Sequence, residues 1–159
     1  MAVRVRTARR HDGPDRSRGA LVPSLTGVVL LALSGQHVAW GLGSTAPFST
    51  VEDLSDAVLG RLPSDGAFVG APACFAVAGA LATAASLVVD RPVWPASVRR
   101  LGLSVLTATL LARGALGVAG RTDLLVPGST SDGFRRHDRR LFAPICLALG
   151  AGSARAMRR

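Results

Sequence analysis

Lysine and tyrosine are absent from this 159-residue sequence, and charged residues of any kind make up only 18% of it. A soluble domain carries about 25% charged residues, and here the deficit falls in long stretches with no charge at all. The two cysteines are too few for a disulfide scaffold. Hydrophobic residues reach 48% and the mean hydropathy is +0.35, which excludes disorder of the whole chain. These absences leave a small multi-pass membrane protein, an all-α bundle of four transmembrane helices.

All 19 basic residues are arginine, set against 10 acidic ones for a net charge of +9. An arginine-only basic set with 18 glycines matches a GC-rich coding bias. A strongly basic chain can suggest nucleic-acid binding. The arginines lie mainly outside the apolar stretches, however, where orientation in a membrane accounts for them, so no nucleic-acid partner is expected.

Residues 1–19 are polar and arginine-rich without apolar periodicity, and read as a disordered basic cytoplasmic tail. Arg9-Arg10 is not an export signal, because His11-Asp12-Gly13-Pro14 follows where apolar residues would be needed. Residues 20–157 form the expected transmembrane domain, with spans at about 21–43, 67–89, 98–120 and 139–156. The first span covers roughly 34 Å, enough for a hydrocarbon core of about 30 Å. A signal peptide ending after Ser34 is the rival, but apolarity runs on past that point. The second span is rich in small residues at four-residue spacing (Ala76, Ala80, Ala84; Gly79, Thr83), which predicts close packing and a central place in the bundle. Codon bias explains the same residues equally well. Arg113 interrupts the third span. The fourth is uncharged only over residues 141–154, roughly 21 Å, so it crosses only if its flanking arginines snorkel or the helix extends.

Counting arginines orients the chain. With the N-terminus inside, twelve arginines fall on the cytoplasmic side and six outside, with Arg113 within a span. Both termini are therefore expected in the cytoplasm of a plasma-membrane protein. In the first outer loop, Ser49 and Glu52 have capping-box spacing, and Val51, Leu54, Val58 and Leu62 follow at helical spacing. This predicts a short amphipathic helix at the outer interface, ended by Pro63.

Three local patterns carry a family resemblance. They are His37-x-x-Trp40-x-Leu42-Gly43, then Arg113, then Phe134-x-x-x-Asp138-x-Arg140-Leu141-x-x-Pro144-x-Cys146. Over roughly residues 24–152 the chain resembles the domain of unknown function 3995 family. The resemblance implies a small bacterial membrane protein with four transmembrane helices, and it implies no activity. Phe142 and Ala143 depart from the family pattern by lacking hydroxyls expected at those positions.

An arginine inside a span costs roughly 2.5–3.5 kcal/mol on insertion scales, so it normally faces protein or a water-filled cavity. Arg113 and His37 both fall in the outer half of the expected bilayer, and Asp138 lies at the outer mouth of the fourth span. An Arg113–Asp138 pair is expected, with Gln36, His37, Trp40 and Arg140 contributing to a polar cluster. The alternative is an Arg113 that snorkels to the headgroups and an Asp138 that caps the last helix. Gly102, Leu106, Thr109, Gly117 and Gly120 share the face of Arg113 and suit burial.

No cofactor or metal is expected, since His37 is the lone histidine at membrane depth. Cys74 and Cys146 are expected as free thiols, although similar depth permits a disulfide. Trp40 reads as part of an aromatic belt or as an anchor for His37, and Trp94 as an interfacial anchor on the inner side. There is no Gly-x-Ser-x-Gly elbow, no phosphate loop and no acid within a span to drive proton-coupled multidrug transport. The leading functional expectation is a non-catalytic membrane scaffold, subunit or accessory factor, with the bilayer and another membrane protein or a second copy as partners. A small transporter or an anion or lipid-headgroup binder comes second, and a lipid- or quinone-directed enzyme third.

Overall fold

The computed structural model describes residues 14–61, 70–89, 93–125, 127–128 and 131–158, with side chains from residue 21 onward. Among them there are helices and no strands. In chain order these are α1 (Pro14–Gly41), α2 (Val51–Leu59), α3 (Ala71–Val88), α4 (Ala96–Val118), a 3₁₀ turn (Thr122–Leu124), α5 (Asp132–His137) and α6 (Ala143–Ala156). A π-helical turn, Asp138–Phe142, joins α5 to α6 without a break.

Helix α1 begins at Pro14, inside the stretch expected to be disordered. Proline presets the helical backbone angle at a first position. The rest of the expected tail, residues 1–13, lies outside the described residues. The middle helices sit close to expectation but start and stop a few residues differently from 67–89 and 98–120, and α4 runs through Arg113 unbroken.

The four long helical bodies form a ring in which α1 packs on α3, α3 on α4, α4 on α6, and α6 back on α1. The α1–α3 seam repeats every seven residues along α1. Gly27 meets Val89, Ser34 Oγ donates to the Ala78 carbonyl at 2.8 Å, and Gly41 lies against Cys74 and Phe75. A seven-residue repeat keeps one stripe of a helix facing its partner. On α3 the stripe that packs is therefore Cys74, Ala78 and Ala85. This corrects most of the sequence expectation: Ala76, Gly79, Ala80 and Thr83 are exposed, Ala84 alone of the expected residues is buried, and α3 is one of four neighbours in a ring, not a central helix. Their spacing permits close packing, but the chain packs the adjacent stripe.

Gly102 receives the Leu87 side chain between α4 and α3, and Gly150 receives Leu111 between α6 and α4. Leu30, Leu87, Val88, Leu103 and Leu149 fill the middle of the ring. Outward, the helices are lined with exposed aliphatic side chains such as Leu25, Val28, Leu31, Leu101 and Val105.

At one end of the bundle Arg99 bridges the ends of two helices. Arg99 Nε donates to the Leu87 carbonyl at 3.0 Å and its Nη2 to the Ala156 carbonyl at 3.2 Å. Both acceptors lie in the last turns of their helices, where carbonyls lack intrahelical donors and a cation is favoured. Trp94 closes the same end by donating from Nε1 to Ser86 Oγ at 3.0 Å.

At the other end, α2 is shorter and differently placed than its sequence suggests. Its N-cap is Thr50, whose hydroxyl accepts from the Asp53 N–H at 3.1 Å, one residue later than the Ser49–Glu52 pairing. It stops at Gly60, which adopts the left-handed conformation (φ 68°) and donates back to Ser55 and Asp56, so Pro63 is not its terminator. Leu62 and Pro63 lie outside the described residues. The buried face of α2, with Leu54 and Ala57, packs on α5 instead of standing alone. The Phe134 ring rests on Gly60, and the Ser131 N–H donates to the Gly60 carbonyl at 3.2 Å.

Among the described residues three helices are long and apolar enough to cross a membrane: Leu21–Gly41, Ala71–Val88 and Ala96–Val118. The α5–α6 body is not one of them, because α6 has 14 residues and its N-terminal extension carries Arg135, Arg136, Arg139 and Arg140.

Candidate functional site

The candidate site is built where α4 ends and the α5–α6 body begins. Helix α4 closes in a reversed turn: Gly120 is left-handed (φ 70°), and the Arg121 N–H reaches back to the Leu116 carbonyl at 2.8 Å. Such a turn satisfies carbonyls at a helix end, and it favours glycine because no β-carbon obstructs the conformation. The chain is thereby folded back over α4, which buries Thr122 in the following 3₁₀ turn.

On the facing body, Ser131 caps α5 by accepting from the Phe134 N–H at 3.0 Å. Phe134 and Asp138 stand four residues apart and so share a helix face. Both are buried to within 1% of full coverage. Arg135, Arg136, Arg139 and Arg140, on the rest of the helix surface, are exposed. At Asp138 the helix widens, and the Ala143 N–H bonds to the Asp138 carbonyl. Pro144 supplies the reason. It offers no N–H to the preceding turn, and its ring would strike the carbonyl of Arg140 in a regular α-helix. A wider turn removes that clash, and such turns recur at functional sites.

The two elements meet in an ion pair. Arg113 Nη2 stands 2.5 Å from Asp138 Oδ1. Thr122 Oγ1 donates to the other carboxylate oxygen, Oδ2. Asp138 thus has a cation on one oxygen and a hydroxyl on the other. Arg113 Nη1 is buried and makes no hydrogen bond among the described residues. Glycines make room for the pair: Gly117 lies against Ala143, Asp138 and Arg113, and Gly114 lies against Leu147 and the Ala143 carbonyl.

The remaining sequence candidates form separate groups. Gln36 Nε2 and Trp40 Nε1 both donate to the Ala46 carbonyl, at 2.6 and 2.8 Å, and fasten the end of α1 to the loop that follows it. His37 Nδ1 contacts the Leu33 carbonyl at 2.8 Å, and its ring meets Trp40 edge-on with centroids 5.0 Å apart. Gln36 and His37 therefore make their hydrogen bonds within their own segment and not with Arg113 or Asp138. Arg140 faces outward, on the far side of its helix from Asp138, and lines a cleft of about 370 Å³ with Arg135, Arg136, Arg139, Ala119 and Gly120. Cys74 and Cys146 are both free thiols.

Sequence reasoning missed Thr122, Gly114 and Arg99. Gly114 follows Arg113 directly, where a small residue beside a buried ion pair could have been expected. Thr122 and Arg99 gave no local signal, since their roles depend on which helix ends come together.

No curated protein and no solved structure matches the chain. The model of one family, described as a protein of unknown function (DUF3995), matches residues 30–153 and so takes in α3, α4, the ion pair and nearly all of α6. The chain belongs to this family.

Proposed function

We propose that this protein is a non-catalytic, multi-pass integral membrane protein whose Arg113–Asp138 pair fixes the outer end of a four-helix transmembrane bundle. The observation that carries this reading is the inverted use of apolar surface. Only 28%, 33% and 22% of the three apolar helices is buried within the protein. Water would penalise that much exposed aliphatic surface, whereas hydrocarbon accepts it. The contacts between helices use glycine, alanine and serine, as expected where close backbone approach replaces hydrophobic exclusion.

In this reading the α5–α6 body is the fourth crossing, with its arginines reaching to the interface from a short apolar core. Both termini are cytoplasmic, which follows from the arginine excess at the end that carries Arg99, Arg155 and Arg158. Arg113 is engaged by Asp138, which favours a structural role for it over ligand capture. Its partners are the lipid bilayer and a second copy or another membrane protein.

Reporter fusions and cysteine labelling test the topology. A cysteine introduced into residues 44–50 or 127–131 is expected to react with an impermeant maleimide from outside whole cells, and one at the C-terminus only after lysis. Release of the protein from membranes by alkaline carbonate would overturn the integral reading.

A further inference from the structure

Four arginines of the α5–α6 body, Arg135, Arg136, Arg139 and Arg140, line one cleft of about 370 Å³ beside Ala119 and Gly120 at the end of α4. Their spacing (two adjacent pairs, four residues apart) puts them on one face of the helix. None of the four guanidinium groups makes an ion pair or hydrogen bond among the described residues. The nearby acids do not neutralise them. Asp138 is buried and held by Arg113 and Thr122, and Asp123 approaches Arg121 at 3.9 Å. Asp132 is exposed in the first turn of α5 and Asp56 of α2 lies against Gly133, and neither makes an ion pair among the described residues.

The cleft is also shaped by backbone. Residue 120 has no β-carbon, and Arg139 Nη2 stands 2.8 Å from where one would be, so the guanidinium can fold across the α4 terminus into the cleft. Four like charges held this close repel one another, and a bound anion relieves that repulsion. Under the proposed topology these arginines also stand on the side of the membrane that the positive-inside tendency disfavours. Orientation therefore does not explain them.

We infer that this cleft is a binding site for a phosphoryl group, a phosphate monoester or a diphosphate, held by the forked guanidinium groups of Arg135, Arg136, Arg139 and Arg140. Planar guanidinium forks match phosphate oxygens two at a time. The volume suits a small headgroup, being near the lower end of ligand sites. Leu141, Val118 and Leu124 are exposed at the same end of the bundle. An apolar chain attached to the phosphoryl group would lie along them. The position of the cleft at headgroup level rests on the membrane reading above, whereas its affinity for the phosphoryl group does not.

The test uses the full chain. Inorganic pyrophosphate is titrated into the detergent-solubilised protein, and phosphatidic acid is titrated into nanodiscs of neutral lipid carrying it, with oleate at equal charge as the control. Binding in at least one phosphoryl arm is expected, with oleate clearly weaker. Arg139→Gln/Arg140→Gln should weaken that binding about 25-fold, taking about fivefold for each arginine near an anionic surface. Arg135→Gln/Arg136→Gln should act alike, and Arg100→Gln at the opposite end should change nothing. These side chains make no hydrogen bond or ion pair among the described residues, so the thermal midpoint without ligand should stay put. Binding of pyrophosphate points to a free source of the group, and binding of phosphatidic acid alone points to a lipid. Absence of binding in both arms, equal binding of oleate, or wild-type affinity in both double variants would overturn the site. Carbonate extraction of the same protein tests the membrane reading separately, because the pyrophosphate arm needs no bilayer.

Discussion

Asp138 Oδ2 stands 2.8 Å from the point that a β-carbon on residue 117 would occupy, and Arg113 Nη1 stands 3.0 Å from that same point. The ion pair exists because residue 117 has no side chain. Ala143 Cβ, 2.7 Å from that point, closes the remaining side, so a methyl group has nowhere to go. Gly117→Ala is expected to push α4 and the α5–α6 body apart and lower stability by about 1–3 kcal/mol, the usual cost of overpacking. Thermal unfolding in detergent measures it. An unchanged midpoint would mean the pair tolerates separation.

Removing one partner of the pair should cost more than removing both. Arg113→Leu leaves Asp138 charged, buried and supported by Thr122 alone. The expected loss is about 3 kcal/mol, the low end for stripping a buried ion of its partner, because the arginine is itself 23% exposed. The double change Arg113→Leu/Asp138→Leu should recover most of that loss, as buried pairs replaced by apolar residues often do. A double-mutant cycle by thermal or denaturant unfolding reads the coupling directly. Additive losses would show that the two side chains do not depend on each other.

Arg113 and Asp138 were legible in the sequence because each breaks a pattern. One is a charge within an apolar run, and the other is an acid at a fixed offset from Pro144 and Cys146. The apolar runs likewise gave three of the long helices within a few residues. The choice of packing stripe on α3 was not legible. That helix is mostly alanine and other small or apolar residues with no charge, so no face stands out as the one to pack. The stripe is selected by Gly27, Ser34 and Gly41 on α1, which are distant in sequence. The start of α2 was missed by one residue because Ser49 and Thr50 are both good caps, and it is the Thr50 hydroxyl that accepts from the Asp53 N–H. The joint cluster of Gln36 and His37 with Arg113 was an inference from depth alone. Depth says nothing of rotation, and α1 turns Gln36 and Trp40 toward the Ala46 carbonyl.

Arg99 and Arg100 are adjacent and chemically identical, yet only Arg99 binds the ends of two helices. Arg99→Met keeps most of the apolar stem and removes the donors. It should lower stability by about 1.5–3 kcal/mol, the range for hydrogen bonds to a charged group. Arg100→Met is expected to stay within about 0.5 kcal/mol of wild type, as surface substitutions do. Equal effects of the two changes in the same unfolding assay would remove Arg99 from its capping role.

Gly152 and Gly79 offer a contrast that depends only on neighbours. A β-carbon at residue 152 would overlap the Thr26 hydroxyl where α6 packs on α1, whereas a β-carbon at residue 79 meets nothing within 4 Å. Gly152→Ala should therefore destabilise by about 1–3 kcal/mol through forced separation of the helices. Gly79→Ala should be neutral or stabilise by up to about 1 kcal/mol, since alanine favours a helix interior over glycine. Thr26 Oγ1 bonds to its own helix at the Val22 carbonyl, 2.9 Å away, so its removal costs the α1–α6 contact no hydrogen bond. Adding Thr26→Ala to Gly152→Ala removes the hydroxyl and methyl that collide, and the double variant is expected to regain most of the lost stability. A double variant no more stable than Gly152→Ala alone would place the conflict somewhere other than Thr26.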